Sequence, residues 1–266
     1  MEKRMEKLLV IKNLTKKYHE GTTERRVVDH ISLEVNEQEF VIVMGASGSG
    51  KTSLLHLLAG IDHFDEGTIR YQNVDFGNMK EKAKAVFRRT NIGIVFQQHC
   101  LIPDLTVYEN IMLPMMLNRK RGEENEKNST KDKILKLCGQ VGLEEHVRKY
   151  PSQLSGGQQQ RAAILRSVIN RPPLLLCDEP TGSLNSAQTD IVMKLFNILN
   201  KNGQTIVFVT HDIKVAVRGK RVVYIKDGRI GGELRLAEIQ GDELNQKEVY
   251  RYREEELMNF LQKRGW

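Results

Sequence analysis

The sequence predicts an α/β domain built on a largely parallel sheet covered by helices. Its 266 residues suffice for one large domain of this kind. Three short, continuously apolar segments read as strands buried on both faces: Phe40–Met44, Leu174–Cys177 and Ile206–Val209. Helical segments separate them along the chain, and alternating strands and helices are typical of parallel sheets.

The other elements follow in chain order. Leu8–Ile11 and Val27–Val35 are predicted strands, the second alternating at Ile31, Leu33 and Val35. Helices are expected at Lys51–Ala59, Ile134–Leu143, Gln158–Val168 and Ala187–Asn200, with a short buried strand at Ile92–Phe96. A hairpin is predicted where Val222–Ile225 meets Arg229 through Asp227 and Gly228.

Three segments carry separate expectations. Pro114 is expected to break a helical stretch. The polar segment 118–132 is expected to form an exposed loop within the domain. The tail, about residues 246–266, has Tyr250, Leu257, Met258 and Leu261 at near-helical spacing. Docking on the chain's own surface is the preferred interpretation of this tail, and a partner-binding helix is the alternative.

Composition excludes several classes of protein. Apolar residues make up 39% of the chain, too many for a disordered protein. A membrane-spanning helix needs roughly 20 consecutive apolar residues, and the longest apolar runs are far shorter. Three widely spaced cysteines favour free thiols in the cytosol. The net charge of +7 permits nucleic acid, an anionic membrane surface or a polyanionic small molecule as partner.

A glycine-rich loop between a predicted strand and a predicted helix is the first motif that carries chemistry. The segment from Gly45 to Thr52 fits the G-x-x-x-x-G-K-[ST] pattern. Its glycines let backbone N–H groups converge on a phosphate, Lys51 can reach the β- and γ-phosphates, and the Thr52 hydroxyl can ligate Mg²⁺. A chance Gly/Ser turn is the alternative, and the flanking strand and helix speak against it.

Two adjacent carboxylates end another buried strand. Asp178 can hold Mg²⁺, and Glu179 can accept a proton from an attacking water. Such a pair alone is weak evidence of a catalytic site. Beside a phosphate loop it implies a bound cation, because two carboxylates close to phosphates would otherwise repel them. The two motifs together predict a phosphate-loop nucleotidase.

A serine and two glycines precede a third helix. Ser155, Gly156, Gly157 and Gln158 lie in the segment LSGGQQQR and form a second anion-binding helix start. An ordinary serine cap would not need the paired glycines. Two separate phosphate-binding helix starts suggest that the second one serves another copy of the nucleotide.

With these motifs the sequence resembles the ATP-binding subunit of an ATP-binding-cassette (ABC) transporter over about residues 8–232. LSGGQQQR is similar to the family signature, and LLLCDEPTG to its Walker B segment. The resemblance implies a RecA-like P-loop NTPase core, an antiparallel β subdomain, and a helical subdomain at about 98–170 that carries the signature. It places the nucleotide-binding domain at 1–232 and a charged helical extension at 233–266.

The resemblance also implies residue roles. Those expected to bind ATP are Tyr18, which stacks on adenine, Gly45, Ala46, Ser47, Gly48, Ser49, Gly50, Lys51, Thr52, Ser53 and Gln97. Thr52, Gln97 and Asp178 are the expected Mg²⁺ ligands. Glu179, the switch histidine His211 and Lys51 are the expected catalytic residues. Ser155, Gly156, Gly157 and Gln158 are expected to contact ATP bound by the opposite subunit.

One position departs from the family pattern. Asn185 stands where relatives usually have an aspartate in the segment that links the two ATP sites. Asparagine keeps a hydrogen-bonding side chain and loses the charge, so communication between sites could be altered. The six histidines besides His211 are expected to be structural or on the surface.

The partners implied are a second ATP-binding subunit, with a homodimer expected, and a separate integral membrane permease. The segment from Leu105 to Pro114 resembles the branch that serves macrolide exporters, lipoprotein-release systems and bacitracin-type peptide-resistance transporters. The implied location is the bacterial cytosol, peripheral at the cytoplasmic face of the membrane, with no specific nucleic acid. Two alternatives remain open: a soluble scaffold ATPase, as in iron–sulfur cluster assembly, and a nucleic-acid- or ribosome-associated cassette.

Overall fold

The computed structural model describes residues 6–20, 23–118, 127–237 and 243–266. The strands are β1 (Lys7–Glu20), β2 (Thr23–Asn36), β3 (Phe40–Met44), β4 (Glu66–Tyr71), β5 (Val74–Asp75), β6 (Ile92–Val95), β7 (Leu174–Asp178), β8 (Thr205–Thr210), β9 (Arg221–Lys226) and β10 (Arg229–Arg235). The helices are α1 (Lys51–Ala59), α2 (Glu81–Asn91), α3 (Val107–Asn118), α4 (Lys127–Gln140), α5 (Gly156–Val168), α6 (Ser186–Lys201), α7 (Ile213–Ala216) and α8 (Glu243–Gln262).

A six-stranded sheet forms the centre of the molecule, in the order β10-β9-β3-β8-β7-β6. The strands β9, β3, β8, β7 and β6 are parallel, and only the pairing of β10 with β9 is antiparallel. The α/β architecture with a mostly parallel sheet is therefore confirmed. The parallel strands read as unbroken apolar runs because helices cover both faces of the sheet.

The two faces of the central sheet belong to different cores. Val41 and Val43 of β3 point into a core shared with α1 and the antiparallel strands. Phe40, Ile42 and Met44 alternate to the opposite face, where they join residues of α6 and α8. This alternation follows from the two-residue period of a strand.

A second, antiparallel sheet has the order β2-β1-β4-β5. Its strands β1 and β2 pair along most of their length, with several shifts of register. Both strands are longer than the predicted segments Leu8–Ile11 and Val27–Val35, because the charged residues beyond those segments continue the pairing. The predicted antiparallel β subdomain is thus present.

Helices α3, α4 and α5 pack around their own small core, which includes Val107, Ile111, Ile134 and Cys138. Helix α3 runs through Pro114, so the predicted break there is wrong. Proline removes one backbone donor, and the helix is held by packing in this core, by Val107 and Ile111 before the proline and by Met115 after it.

The predicted polar loop 118–132 also needs correction. Asn118 ends α3, and α4 begins at Lys127, so residues 127–132 are helical. A helix anchored by Ile134 and Cys138, four residues apart on one face, can extend into a polar segment on its solvent side. Residues 119–126 lie outside the described part of the chain.

Helix α8 packs on the molecule itself, as the preferred interpretation of the tail predicts. Leu257 and Leu261 are fully buried in the core on one face of the central sheet. Met258 is 44% exposed and does not share that face, because one residue along a helix turns the side chain by about 100°. Cys100, Cys138 and Cys177 are free thiols.

Candidate nucleotide site

Three neighbouring parallel strands end at the same edge of the central sheet and deliver the site residues there. The phosphate loop follows β3, His211 follows β8, and Asp178 and Glu179 come at the end of β7. Because β8 lies between β3 and β7 in parallel register, these residues gather at the carboxyl edge. In open α/β sheets, ligands bind at this edge.

The backbone of the phosphate loop requires its glycines. Gly48 and Gly50 have φ of 77° and 100°, in the left-handed region that favours glycine. A Cβ on Gly45 would collide with the Ile225 carbonyl, and one on Gly50 with the Val27 carbonyl. Helix α1 then starts at Lys51 with no side-chain cap and no acidic residue in its first turn. Its free N–H groups and dipole therefore favour an anion.

Lys51 is buried inside the loop with its charge directed at backbone carbonyls. Its Nζ donates to the carbonyl oxygens of Gly45 and Ala46, both at 2.8 Å. Burial lowers the pKa of Lys51, while the charges of Glu179 and Asp178 act in the opposite direction. Within the described residues its ammonium makes no ion pair, so the charge remains available for phosphate oxygens.

Ser49 supplies a second sign that the loop is built for a ligand. Its buried Oγ has no hydrogen-bond partner among the described residues. A buried hydroxyl without a partner is costly in a protein interior. A phosphate oxygen in the loop would provide the missing acceptor, so the residues present fit a nucleoside phosphate.

Thr52 and Asp178 form the expected cation position. The Thr52 hydroxyl donates to Oδ1 of Asp178 at 3.0 Å. Burial raises the pKa of Asp178, and the hydrogen bond from Thr52 partly offsets that rise. A hydroxyl and a carboxylate held together are oxygen ligands of the kind that Mg²⁺ prefers, so the pair fits a Mg²⁺ ion.

Gln97 is the third expected Mg²⁺ ligand. It follows β6 on an exposed turn, and its amide nitrogen lies 2.9 Å from where a Cβ on Gly182 would be. Gly182 in turn donates its N–H to the Glu179 carbonyl at 3.0 Å. The Gln97 side chain therefore lies next to the segment that carries the catalytic carboxylate.

Glu179 and His211 are in direct contact. Nδ1 of His211 lies 3.0 Å from Oε2 of Glu179. The His211 side chain is 61% exposed and that of Glu179 20% exposed. In this contact the His211 Nδ1–H donates and the carboxylate oxygen of Glu179 accepts. The contact can orient both groups around a γ-phosphate.

Tyr18 lies beside the beginning of α1. Its hydroxyl donates to Asp62 at 2.6 Å, and the Lys16 ammonium lies 5.0 Å from the ring centroid. The hydrogen bond with Asp62 raises the pKa of Tyr18, while the Ser53 side chain acts to lower it. The ring is 41% exposed and so can accept a base on its face.

The signature residues form a capped helix start away from the phosphate loop. Ser155 caps α5, accepting from the Gln158 N–H, and the Gln158 side chain accepts from the Ser155 N–H at 2.9 Å. Gly157 has no room for a Cβ because Gln188 lies against it. Gly156 is exposed, and a Cβ there would only reach ordinary contact with Leu184 at 3.8 Å. Within the described residues no hydrogen bond joins this helix start to the phosphate loop.

Asn185 caps α6. Its Oδ1 accepts from the Gln188 N–H at 2.9 Å, and Gln188 also accepts from Arg161 of the signature helix. Asn185, which replaces the usual aspartate of the family, is thus connected through Gln188 to the helix that carries the signature.

Sequence reasoning missed several contacts at these positions. They involve Asp62 at Tyr18, Gln188 at Gly157, His146 at Gln158 and His99 at Gly156. His146 Nε2 lies 2.7 Å from the Gln158 amide nitrogen, so this histidine is more than a surface residue. These pairs join residues from separate parts of the chain, and no local sequence pattern predicts them.

Comparison with known proteins agrees with this geometry. The model of the family described as ABC transporter matches residues 28–182. The ATP-binding cassette MJ0796, in a dimeric post-hydrolysis state bound to ADP and Pi, is 38% identical. It superimposes with a TM-score of 0.79, covering 86% of this chain and 99% of that one. A dimeric structure of MJ0796, described as a bacterial ABC transporter cassette, is 39% identical with the same TM-score and coverage.

The range matched by the family model includes the phosphate loop, the segment LSGGQQQR and the carboxylates Asp178 and Glu179. The chain therefore belongs to the ABC transporter family, as an ATP-binding cassette and an ATPase.

Proposed function

We propose that this cassette is the ATP-hydrolysing subunit of a transporter, in which two copies close around two Mg-ATP and drive a separate membrane permease. The observation that carries the proposal is the convergence of Lys51, Asp178, Glu179 and His211 at one sheet edge. The permease serves export, lipid or lipoprotein extraction, or resistance to antimicrobial peptides.

The binding step uses the phosphate loop and the exposed tyrosine. The loop from Gly45 to Thr52 holds the phosphates of ATP through its N–H groups and Lys51, and Tyr18 stacks on adenine. Thr52 and Asp178, with Gln97, hold Mg²⁺. When bound, the cation neutralises charge on the β- and γ-phosphate oxygens.

The hydrolytic step uses the Glu179–His211 pair. Glu179 accepts the proton of a water that attacks the γ-phosphate in line, and Lys51 stabilises the charge that develops. His211 keeps Glu179 oriented through the 3.0 Å contact between its Nδ1 and Oε2 of Glu179.

A second copy completes the site. Ser155 and Gly156 are exposed at the start of α5. This helix start fits the γ-phosphate bound by another copy, with Gly157 and Gln158 supporting it. The dimeric state given for MJ0796 supports this arrangement, and Asn185 then lies in the segment between the two sites.

An apolar surface on α2 and α3 supports the permease as partner. Val86 of α2 and Met116 and Leu117 of α3 are each about half exposed. The two helices meet at their ends, where Asn118 donates to the Arg89 carbonyl. A shallow groove on α2, lined by Met79, Ala83 and Phe87, extends the surface. Exposed apolar patches of this kind mark interaction sites. In the described residues no helix is long and apolar enough to cross a membrane.

Affinity capture tests the proposal. Tagged Glu179→Gln protein, which should hold ATP, is captured from detergent-solubilised membranes of the host with Mg-ATP, and its partners are identified by mass spectrometry. We expect a stoichiometric multi-spanning membrane protein. A matched variant that adds Met116→Glu and Leu117→Glu should lose that partner while it still binds ATP.

Two results would contradict the transport role. Recovery of only soluble assembly proteins would favour a scaffold ATPase, and recovery of ribosomal components with salt-sensitive RNA binding would favour a nucleic-acid-associated cassette.

A further inference from the structure

Helix α8 packs directly against the elements that carry His211. Its residues Leu257 and Leu261 are fully buried in the same core as Phe208 of β8, the strand that ends just before His211. Val215 of α7 belongs to this core as well. The C-terminal extension is thus part of the packing beneath the catalytic edge.

A buried arginine fastens α8 to the end of α7. Arg253 is 2% exposed, and its guanidinium donates to the carbonyls of Val217 at 2.6 Å, Gly219 at 2.9 Å and Ala237 at 2.8 Å. Val217 is the residue that directly follows α7, its C-cap. A cation bound to the last carbonyls of a helix is stabilising, because it satisfies acceptors that have no intrahelical partner.

The other end of α7 adjoins His211. Asp212 caps the helix, its Oδ1 accepting from the Lys214 N–H at 2.8 Å. Helix α7 has only four residues. His211 therefore lies just before one end of this short turn, and the Arg253 guanidinium binds just after the other end. The ring of His211 is mostly exposed, and among the described residues Glu179 is its one polar contact. Its position therefore depends on how firmly this turn is anchored.

A second contact joins α8 to the turn that follows α7 and to α6. The Arg218 guanidinium lies 4.1 Å from the centroid of the Tyr250 ring, and its Nη2 is 2.9 Å from Oδ1 of Asp190 on α6. Tyr250 and Glu254 also line a cleft of about 680 Å³ that opens on Glu179 and His211. Helix α8 therefore forms one wall of the space beside the catalytic pair.

We propose that α8 is a positioning element for ATP hydrolysis, with Tyr250 and Arg253 as positioning residues that hold α7, and through it His211, against Glu179. The inference rests on the proposed catalytic roles of Glu179 and His211. Among the described residues α8 makes no hydrogen bond to the phosphate loop. Loosening α8 should therefore slow turnover without weakening ATP binding.

Steady-state ATPase kinetics of the whole chain test this inference. Tyr250→Leu removes the ring that Arg218 stacks on. We expect kcat to fall about 10-fold, because small displacements of catalytic groups are costly, while the KM for ATP stays within about twofold. Tyr250→Phe keeps the ring and should therefore keep a kcat close to that of the wild type. Tyr252→Leu, the same change at a 59% exposed position of α8, is the matched control.

Arg253→Lys is the second variant, since it keeps the charge but not the planar fork that reaches three carbonyls. We expect a fall in kcat with an unchanged KM here too. Thermal melting of every variant checks that the chain is folded at the assay temperature. The inference is wrong if Tyr250→Leu keeps the wild-type kcat, or if its KM rises as much as its kcat falls. It is also wrong if Tyr250→Phe loses turnover as Tyr250→Leu does.

Glu179→Gln, assayed in parallel, separates this inference from the catalytic assignment. If Glu179→Gln is inactive while Tyr250→Leu and Arg253→Lys are as active as the wild type, only the role of α8 is wrong. If Glu179→Gln keeps the wild-type rate, the assignment on which the inference rests fails with it.

Discussion

Glu179 has an unusual backbone for a non-glycine residue. Its φ is 43°, in the left-handed region, which costs about 1–2 kcal/mol for a residue with a Cβ. Its N–H donates to the Val209 carbonyl at 3.1 Å, and its own carbonyl accepts from Gly182 at 3.0 Å. These bonds to β8 and to the following turn hold the strained residue in place. Such strain is concentrated at functional sites, which supports the catalytic assignment of Glu179.

Asn185 also acts at the scale of one residue, and Asn185→Asp tests its role. Aspartate retains the oxygen that accepts from Gln188 and adds a negative charge at the start of α6. We expect the free energy of unfolding to stay equal or rise by up to about 1 kcal/mol, and the steady-state ATPase rate to be preserved or raised.

The matched variant Asn185→Ala removes the cap and should lower the free energy of unfolding by about 1 kcal/mol. Denaturant titration and phosphate release measure the two effects separately. A large fall in the rate of Asn185→Asp would show that this cassette depends on the uncharged amide.

At the scale of elements, the parallel strands and the motifs at their ends could be predicted from sequence. Continuous apolar runs identify buried strands, and their carboxyl ends locate the phosphate loop, Asp178, Glu179 and His211. Strands β4 and β5 were not predicted, and for α2 the basic segment 80–89 indicates a solvated helix face without giving its bounds. The helix α2 is mostly polar, with Lys84 its one buried residue, and β5 has two residues.

Tertiary packing accounts for the remaining differences. The break at Pro114 and the loop through residue 132 follow from local propensity, which the core of α3, α4 and α5 overrides. The contacts of Asp62 with Tyr18 and of His146 with Gln158 join residues from separate elements. No period or motif in the sequence identifies such pairs.

The junction between the two sheets gives a prediction about pH. Asp29 of β2 accepts hydrogen bonds from His30 and from Arg229 of β10, both at 2.6 Å. The bond with His30, followed by that with Arg229, lowers the pKa of Asp29 from 3.8 to about 2. A carboxyl whose pKa is lower in the folded state stabilises the fold above its unfolded pKa, and loses that effect as the pH falls toward its folded pKa.

Asp29→Asn should therefore destabilise the protein near neutral pH, and its difference from the wild type should shrink as the pH falls from about 4 toward 2. Urea unfolding at several pH values measures this difference. Asp104→Asn, on an exposed turn, is the control and should show no such trend. A difference that is independent of pH would contradict the contribution of an ionised Asp29.

At the scale of the whole molecule, the catalytic edge joins all parts of the chain. The antiparallel sheet brings Tyr18 to α1, the central sheet supplies the carboxylates, and α8 packs beneath His211. The signature lies on a separate helix start that makes no hydrogen bond to the phosphate loop within the described residues. Hydrolysis is therefore expected to need a second copy, and the rate should rise more than linearly with protein concentration.

The central claim is that Glu179 activates water at this edge of the sheet. Its most direct test is the phosphate-release rate of Glu179→Gln with Mg-ATP, at nucleotide concentrations where binding of ATP has been verified. The amide keeps the size of the side chain and cannot accept the proton, so we expect ATP to bind and turnover to fall at least about 100-fold. Undiminished turnover by a variant that binds ATP normally would contradict the account.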